Sequence, residues 1–378
     1  MISKFKRLQK AKKISKELSE YRPDSKCIQK NHLIIIRLDD IGDYVLFRNA
    51  LENIRTSGKF RNWKITLIGN LVWKELCLKL DNAFFDESLW IDKKQYFHSP
   101  GFRKELARHL NELGAELVWI PARTRHFFLE DCLASLIPAE KIVTSGNSFS
   151  QYPSKIERNF IESLGYEPIE VFENFHDWEF NKEVCFRFSG STRKHNFLFP
   201  ALEPYQPELK KPYVVLFPGG SAGSKRWPAQ GFTRLAKNIF QHFSGMRIVL
   251  AGSEADSMLA NQIEDGAKLE KGAVLNLTGK TNLYELCQVL AGAEVLISND
   301  TSAAHMAALL KIPVVVPANG NKYGRFFPYP STFEKVKAIY PPDSLKNLPF
   351  NFQGQFSIRT IGEGVVFKAV ADLLNEEK

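Results

Sequence analysis

Apolar runs of strand length alternate with amphipathic stretches along most of this chain, and this alternation constrains the fold more than any other feature. Strands are predicted at 32–37, 64–69, 116–120, 141–144, 213–217, 247–251, 273–277, 294–298 and 313–317. Helical spacing of apolar residues between them predicts helices near 46–54, 71–80, 124–136, 232–243, 303–310 and 363–374. Because parallel strands require crossover connections, such alternation is typical of an α/β fold with doubly wound parallel sheets covered by helices.

A break in this alternation divides the chain. Pro200, Pro204 and Pro207 interrupt any regular period, and the strand–loop–helix pattern restarts at Tyr213. The 378 residues are enough for two domains of ordinary size. The predicted parts are a basic leader 1–30, an N-terminal domain 31–190, a linker 191–211, a C-terminal domain 212–355 and a terminal helical segment 356–378. We expect the two domains to face a cleft, with ligands beyond the carboxyl ends of the strands.

Cysteine content and hydropathy exclude several classes of protein. The five cysteines are scattered and form no CxxC pair, which argues against a zinc ribbon or a redox dithiol and fits a reducing compartment. No apolar run approaches the roughly 18 residues of a membrane-spanning helix. The charged start is not followed by the apolar stretch of a secretory signal. A cytoplasmic location is therefore predicted.

Positive charge is concentrated at the start of the chain. Residues 1–20 hold seven basic and two acidic side chains, and the net charge of the whole chain is +9. This segment could lie on the anionic inner face of a membrane, contact nucleic acid, or form a solvated leader. The remaining charge is too diffuse for a nucleic-acid enzyme, so no nucleic-acid partner is predicted.

The first loop with candidate chemistry follows the first strand. It reads Arg37-Leu-Asp-Asp-Ile-Gly-Asp43 and places three carboxylates and Gly42 at the mouth of the sheet. Asp43 at the helix start suits an N-cap, and Asp39 or Asp40 could pair with Arg37. A partly shielded carboxylate there could instead act as a general base.

The second loop, residues 217–228, has the components of a phosphate-binding loop. Glycines let the backbone approach a ligand and present N–H groups to it, while hydroxyls and a cation add donors. The residues concerned are Gly219, Gly220, Gly223, Ser221, Ser224, Lys225 and Arg226. The glycine spacing differs from that of a P-loop, and no Ser or Thr follows the lysine. The alternative is a flexible turn with solvated cations.

The third loop joins a strand ending at Ser298 to a helix of small residues. Free N–H groups at Thr301, Ser302 and Ala303 would form an anion site at the helix N-terminus. The alternatives are Asp300 as a plain N-cap and His305 as a satisfied core histidine. In a fourth, weaker segment, Glu254 follows a Gly-Ser turn and suits either a ribose diol or the first turn of a helix.

Taken together, these segments resemble glycosyltransferase family 9, which contains the bacterial heptosyltransferases of lipopolysaccharide core assembly. The resemblance lies in residues 37–43 followed by Val45-Leu46, residues 218–221 with 225–228, residues 277–281 with Leu283 and Leu286, and residues 299–308. It implies a GT-B fold of two Rossmann-like domains, with the donor held mainly by the C-terminal domain and the acceptor by the N-terminal one. It also implies a final helix that crosses back to the N-terminal domain.

The resemblance also implies roles for particular residues. Asp43 corresponds to the catalytic base, with Asp40 and Gly42 on the acceptor side. The donor phosphates would be bound by Gly219, Gly220, Ser221, Ser224, Lys225, Thr301 and Ser302, and the nucleotide or sugar by Glu254, Asp300 and His305. Two features depart from the family: Ser302 stands where the family usually has glycine, and residues 319–329 are unlike the heptosyltransferases proper.

The implied activity is an inverting, metal-independent transfer of a heptose or related sugar from a nucleotide-diphosphate sugar to a lipopolysaccharide-core, lipid-linked or other cell-surface glycan. No cofactor is expected, and no clustered His, Asp or Glu set suggests a metal site. Two alternatives remain open: a nucleotide-sugar 2-epimerase of the same fold, and a non-catalytic relative that binds nucleotide sugars. A dehydrogenase is disfavoured because no GxGxxG follows Ile36.

Overall fold

The computed structural model describes residues 9, 13, 16–17, 20–21, 28–145, 154–171, 174–191, 197–205, 209, 212–342 and 348–376. The chain divides into two compact units, Met1–Glu173 with Trp178–Asn196, and Asn174–Asp177 with Phe197–Lys378. Most of the basic segment 1–20 lies outside the described residues, and with it the prediction of a membrane contact. Parts of the predicted linker, residues 192–196, 206–208 and 210–211, also lie outside them.

The first unit contains a six-stranded sheet in which every neighbouring pair of strands is parallel. Its strands are β1 (His32–Arg37), β2 (Lys64–Asn70), β3 (Glu87–Ile91), β4 (Ala115–Ile120), β5 (Ala139–Ser145) and β6 (Glu167–Ile169). Their order across the sheet is β3-β2-β1-β4-β5-β6, so the direction of winding reverses between β1 and β4. All six residues of β1 are buried, as expected for a central strand covered on both faces.

Helices connect these strands; those within 93–113, 155–163 and 177–189 were not predicted, and one predicted helix differs in form. They are α1 (Ile41–Phe47), α2 (Asn49–Thr56), α3 (Lys74–Leu80), α4 (Lys93–His98), α5 (Pro100–Leu113), α6 (Cys132–Ala134), α7 (Lys155–Ser163) and α8 (Asp177–Ser189). The helix predicted over 124–136 is mostly replaced by a π-helical turn, Phe127–Asp131, ahead of the short α6. A π-helical turn breaks the 3.6-residue period on which the prediction rested.

The second unit repeats the architecture of the first. Its strands are β7 (Tyr213–Phe217), β8 (Arg247–Leu250), β9 (Val274–Asn276), β10 (Val295–Ser298), β11 (Val314–Pro317) and β12 (Val336–Ile339). Its helices are α9 (Ala229–His242), α10 (Ser257–Ala267), α11 (Leu283–Ala291), α12 (Ser302–Leu309) and α13 (Glu363–Asn375). The sheet is again parallel, in the order β12-β11-β10-β7-β8-β9, and its winding reverses between β7 and β10. The predicted α/β class with two doubly wound sheets is confirmed.

The last helix, α13, packs within the second unit. Val366, Val370 and Leu373 are buried in the same apolar cluster as residues of β7, β10 and α9, and Asn238 of α9 donates a hydrogen bond to Glu363 at 2.8 Å. This packing accounts for the buried face of the helix, and the crossing back to the first domain stays a prediction. Among the described residues, no helix combines the length and the apolar character needed to cross a bilayer.

Candidate functional site

The winding of the second sheet reverses between β7 and β10, and in doubly wound sheets ligands bind where the loops diverge at such a reversal. One buried side chain joins these two loops. The Nδ2 of Asn299, directly after β10, donates to the carbonyl oxygens of Pro218 and Gly219 at 2.8 and 2.9 Å. Its Oδ1 accepts from the backbone N–H of Trp227 at 2.9 Å. The second and third predicted loops therefore lie side by side.

An ion pair also joins these loops. The Nζ of Lys225 lies 2.7 Å from Oδ2 of Asp300, and both side chains are largely buried. Ser221 and Ser224 are exposed, while the carbonyl oxygen of Ser224 accepts from Asn319 Nδ2 at 3.1 Å. The predicted phosphate lysine thus lies at the edge of the reversal point, with its charge balanced by the neighbouring aspartate.

Helix α12 begins at this edge. Its N-cap residue is Thr301, which contradicts the alternative that Asp300 is the N-cap. The hydroxyl of Thr301 bonds to Ser298 Oγ at 2.8 Å, and within the described part of the chain it makes no capping bond to the helix. The half-buried Ser302 opens the helix. Because this helix start has no side-chain cap, it has the chemistry of an anion-binding end.

Packing accounts for one of the predicted glycines. A Cβ built on Gly219 would lie 2.5–2.7 Å from the carboxylate atoms of Asp256, so this glycine admits a neighbouring side chain. The Asp256 carboxylate accepts bonds from the N–H and the hydroxyl of Ser253. Arg226 turns back onto its own loop, where Nε and Nη2 both donate to the carbonyl oxygen of Gly220. Arg226 therefore stabilises the loop conformation.

Glu254 lies at the same edge of the sheet, in the short helical turn that follows β8. Its side chain is exposed, and a Cβ built on Gly279, whose φ is +72°, would lie 2.1 Å from Glu254 Oε2. Gly279 N–H donates to the carbonyl oxygen of Gly252 at 2.9 Å, which holds the loops after β8 and β9 together. The predicted ribose contact therefore sits on a fixed turn beside the reversal point.

His305 is packed in the interior of the second unit. Its Nδ1 bonds to the hydroxyl of Tyr329 at 2.7 Å, and its ring stacks on Phe327 with centroids 5.2 Å apart. Burial lowers the pKa of His305 to about 4, so the ring is neutral at neutral pH. This geometry fits the core-histidine alternative, and the donor-binding role stays a prediction.

In the first unit, the structure corrects the simplest interpretation of Asp43. The N-cap of α1 is Asp40, and Asp43 lies in the first turn of the helix, so Asp43 is not the N-cap. Within the described residues, the Asp40 side chain makes no capping bond, and its exposed carboxylate instead contacts Lys93 Nζ at 2.6 Å. Gly42 and Asp43 are half-buried at the carboxyl end of β1.

Arg37 is the residue around which this loop is arranged. Its side chain is 3% exposed, and its Nε donates to Oδ1 of Asp39 at 2.8 Å. Its Nη1 donates to the carbonyl oxygen of Pro121 at 3.0 Å and to Asn181 Oδ1 at 3.3 Å, and its Nη2 donates to the carbonyl oxygen of Asp43 at 3.2 Å. Of the two predicted partners for Arg37, Asp39 is the one that it contacts.

Two side chains hold the same loop from the other side. The Nδ2 of Asn70, at the end of β2, donates to the carbonyl oxygens of Leu38 and Asp39 at 3.3 and 3.0 Å. The indole N–H of Trp73 also donates to the carbonyl oxygen of Asp39, at 3.2 Å. Backbone atoms of the acidic loop are therefore fixed by β1, β2 and the turn after β2.

Sequence reasoning missed a further buried carboxyl group, Glu130. It lies in the π-helical turn and accepts a hydrogen bond from the backbone N–H of His126 at 2.8 Å. Burial raises the pKa of Glu130 to about 7. Burial also raises the pKa of Asp39, a shift that Arg37 opposes and the charges of Asp43 and Glu130 increase. The sequence places Asp39 and Asp43 on one loop, but no local pattern could bring Glu130 near them, because its position depends on the packing of the π-helical turn.

Across the described ranges, no three His, Cys, Asp or Glu side chains are arranged to hold a metal ion. Apart from the buried His305, the predicted donor-side residues lie at one edge of the second sheet, and Asp40, Gly42 and Asp43 lie at the corresponding edge of the first. Asn299 and Asn319, whose side chains hold the donor-side loops, were given no role from sequence. Their bonding partners are distant along the chain, so no local signal identified them.

The two doubly wound parallel sheets have the architecture of the GT-B fold. Residues 159–316 match the model of glycosyltransferase family 9 (heptosyltransferase), so this part of the chain is similar to that family. Lipooligosaccharide heptosyltransferase 2 of Campylobacter jejuni is 29% identical over 146 residues, which are 36% of this chain. The match spans 44% of that relative's length.

Solved structures extend the likeness of fold to most of the chain. A family 9 glycosyltransferase from Veillonella parvula superposes with a TM-score of 0.70 at 18% identity, covering 91% of this chain and 97% of that one. The ADP-heptose lipopolysaccharide heptosyltransferase II of Escherichia coli superposes with a TM-score of 0.64 at 17% identity, covering 92% and 99%. At these identities the likeness establishes the fold.

Proposed function

We propose that this chain is an inverting, metal-independent glycosyltransferase that transfers a heptose from a nucleotide-diphosphate sugar to a lipopolysaccharide-core glycan. The match of residues 159–316 to family 9 supports the reaction class, and the Campylobacter relative is named as a lipooligosaccharide heptosyltransferase. The Escherichia coli neighbour is named for ADP-heptose, which makes ADP-heptose the first donor to test.

One observation carries the proposal: Asn299 and the Lys225–Asp300 pair join the two predicted donor loops at the reversal point of the second sheet. A departing diphosphate needs a nearby positive charge and N–H donors. Lys225, together with the uncapped start of α12, provides both. A bound diphosphate would then either displace the Asp300 carboxylate from Lys225 or bind to Lys225 beside it.

The proposed reaction is a single displacement. The acceptor hydroxyl oxygen forms a bond to the anomeric carbon while the bond from that carbon to the diphosphate oxygen breaks. The electron pair leaves with the diphosphate, where Lys225 stabilises the added charge. The hydroxyl proton passes to the carboxylate of Asp43, a general-base contribution of roughly a hundredfold to ten-thousandfold. Attack opposite to the leaving group inverts the anomeric configuration.

The test is a transfer assay with ADP-heptose and heptose-deficient lipopolysaccharide, with and without EDTA. We expect release of ADP that requires acceptor, that is insensitive to EDTA, and that gives a product of inverted configuration by NMR. ADP should also raise the midpoint of thermal unfolding, since a ligand at a hundred times its Kd adds about 2.7 kcal/mol of stability.

Other outcomes of the same assay favour the alternatives. Conversion of the donor to an epimer without acceptor would identify a 2-epimerase. Stabilisation by nucleotide sugars with no change in any of them would identify a non-catalytic binding protein. Loss of transfer in EDTA that is restored by a divalent cation would contradict metal independence alone.

A further inference from the structure

The short helix that carries Asp43 is not held at its start by its own N-cap. The Asp40 side chain contacts Lys93, and within the described residues it makes no bond to the N–H groups of α1. An N-cap bond normally fixes the entry of the chain into a helix. The backbone of Asp40 accepts from the N–H of Tyr44 at 3.1 Å, so contacts other than a side-chain cap hold the start of this helix.

Arg37 contacts the helix at two points one turn apart. Its Nη2 donates to the carbonyl oxygen of Asp43 at 3.2 Å, and its guanidinium carbon lies 4.7 Å from the centre of the Phe47 ring. The other contacts of the guanidinium, to Pro121 and Asn181, tie the same group to the end of β4 and to α8. These contacts fix the start of α1 relative to β1, the end of β4 and α8.

Fold stability alone does not explain a buried arginine here. A buried ion pair usually stabilises a protein no more than well-packed apolar residues of the same volume. What an arginine adds is a rigid planar fork of five donors that fixes the directions of its partners. The hydrogen bonds of Arg37 end on residues 39 and 43 of the acidic loop, on the end of β4 and on α8.

We propose that Arg37 is a positioning residue for the general base. Its guanidinium fixes the backbone of Asp43. Together with its partner Asp39, the guanidinium also determines the charge near the Asp43 carboxylate. This inference deepens the proposed function, since it assumes that Asp43 is the base. Arg37 itself touches neither donor nor acceptor in this proposal.

The charged groups around this point come from several elements. Asp39 and Asp43 flank Arg37 on the loop and on α1, and Glu130 of the π-helical turn acts on Asp39. Lys93 of α4 acts on Glu130 and is paired with Asp40. Arg37 is thus a cation within a group of carboxyl groups, and its removal must raise the proton affinity of the carboxylates beside it.

Two substitutions of Arg37 separate its effect on the position of Asp43 from its effect on the charge near Asp43. Arg37→Lys keeps the cation but loses the fork, so kcat should fall about tenfold while the acidic limb of the pH–rate profile stays in place. Arg37→Gln loses both, so kcat should fall about a hundredfold, and the acidic limb should move up by about one pH unit. The Kd for ADP, measured by calorimetry, should be unchanged in both variants because the donor loops lie in the second unit.

The matched control is Arg55→Gln, which removes another arginine that pairs with an aspartate, Asp86, at 2.6 Å. Asp86 precedes β3, so this pair lies at the amino edge of the same parallel sheet. We expect kcat within twofold of the wild type and an unmoved acidic limb. If Arg37→Gln does not fold by circular dichroism, Arg37→Lys decides alone: a lower kcat with unchanged ADP affinity supports the proposal, and a wild-type kcat overturns it.

A second measurement does not depend on turnover. Titration of the 13C-labelled aspartate carboxyls by NMR, with Asp43 assigned from the Asp43→Asn spectrum, should show a higher midpoint for Asp43 in Arg37→Gln and an unchanged one in Arg37→Lys. Equal midpoints in Arg37→Gln and the wild type would overturn the proposal. If the wild type transfers no sugar, the proposed function fails, and this titration still tests whether Arg37 controls the charge at Asp43.

Discussion

The two reversal points of this molecule share one geometry and differ in chemistry. In each, a buried side chain joins the loops that diverge there: Arg37 reaches from β1 to the carbonyl of Pro121 after β4, and Asn299 reaches from β10 to the carbonyl of Gly219 after β7. The first joining group is a cation surrounded by carboxyl groups. The second is a neutral amide beside a glycine loop with a lysine.

Under the proposed function, this difference suits one scaffold to two opposite electrostatic tasks. A carboxyl group can act as a general base only if it is ionised, and a buried cation beside it stabilises the ionised form. A phosphate-binding edge instead needs donors and a cation that remain available to the ligand. A neutral amide can hold such a loop without adding a charge of its own.

The largest expected effect tests whether Asp43 is the general base in the first unit, on which the comparison of the two units depends. Asp43→Asn should lower kcat by roughly a hundredfold to ten-thousandfold, because the amide cannot accept the acceptor proton. Steady-state ADP release measures kcat, and calorimetry should show an unchanged Kd for ADP. Asp86→Asn is the control carboxylate, at the opposite edge of the sheet, with kcat expected near that of the wild type. Full activity of Asp43→Asn would refute the assignment.

The two asparagines that hold the loops provide the next test. Asn299→Ala removes three buried hydrogen bonds and should lower the free energy of unfolding by about 3 kcal/mol. Asn70→Ala also removes three, to Leu38, Asp39 and the partly exposed Val72, and should lower it by about 2 kcal/mol.

Denaturant titration measures both changes, and ADP affinity separates the two variants. It should fall in Asn299→Ala and stay unchanged in Asn70→Ala, because only Asn299 supports the donor loops. Equal ADP affinity in the two variants would show that the loop of the second unit does not bind the nucleotide.

Opposite pH dependences are expected from the two units. In the first, the pKa of Glu130 rises from 4.5 to about 7 on folding, so the folded state binds more protons and stability falls as pH rises through this window. Glu130→Gln keeps the shape and an acceptor oxygen for the N–H of His126. It should therefore be more stable than the wild type at pH 8, by on the order of 2 kcal/mol.

In the second unit the sign reverses at His305. Its pKa falls from 6.5 to about 4 on folding, so the unfolded state binds more protons between these values. Stability is lost as pH falls through that window, by about 2 kcal/mol between pH 7 and 5. Urea titrations at the two pH values should show that His305→Gln removes this part of the loss; an equal loss in the variant would mean that other groups cause it.

The smallest expected effect compares two lysine–aspartate pairs. Lys225→Ala should weaken ADP binding about tenfold, since one direct charge–phosphate contact is lost. Lys93→Ala removes the lysine of the Lys93–Asp40 pair in the first unit and should leave the Kd for ADP unchanged. Calorimetry measures both. A similar loss of affinity in the two variants would attribute the effect to overall charge.

Much of the fold could be predicted from the sequence because its central strands are continuous apolar runs. The bounds predicted for β1 and β7 are those observed, and both strands lie in the middle of a sheet. The edge strands β3, β6 and β12 were missed. Their half-exposed residues do not form an apolar run, and their strand conformation depends on pairing with a neighbour.

The candidate site was predictable at the level of loops but not of contacts. The positions of Lys225 and Asp43 at the carboxyl ends of central strands follow from the alternation of strands and helices. The pairing of Lys225 with Asp300, and the bonds from Arg37 to Pro121 and Asn181, join residues 75 or more positions apart. Such contacts depend on tertiary packing, which no local pattern encodes.

The exposed stretch Ser221–Ser224 is anchored at both of its ends. Asn299 holds the backbone before it, at Pro218 and Gly219, and Asn319 holds the carbonyl of Ser224. Substitutions within this stretch leave the anchoring amides in place, so a directed-evolution library at these four positions would vary the surface offered to a nucleotide while preserving the scaffold. Under the proposed function, such a library is the place to select for altered donor preference.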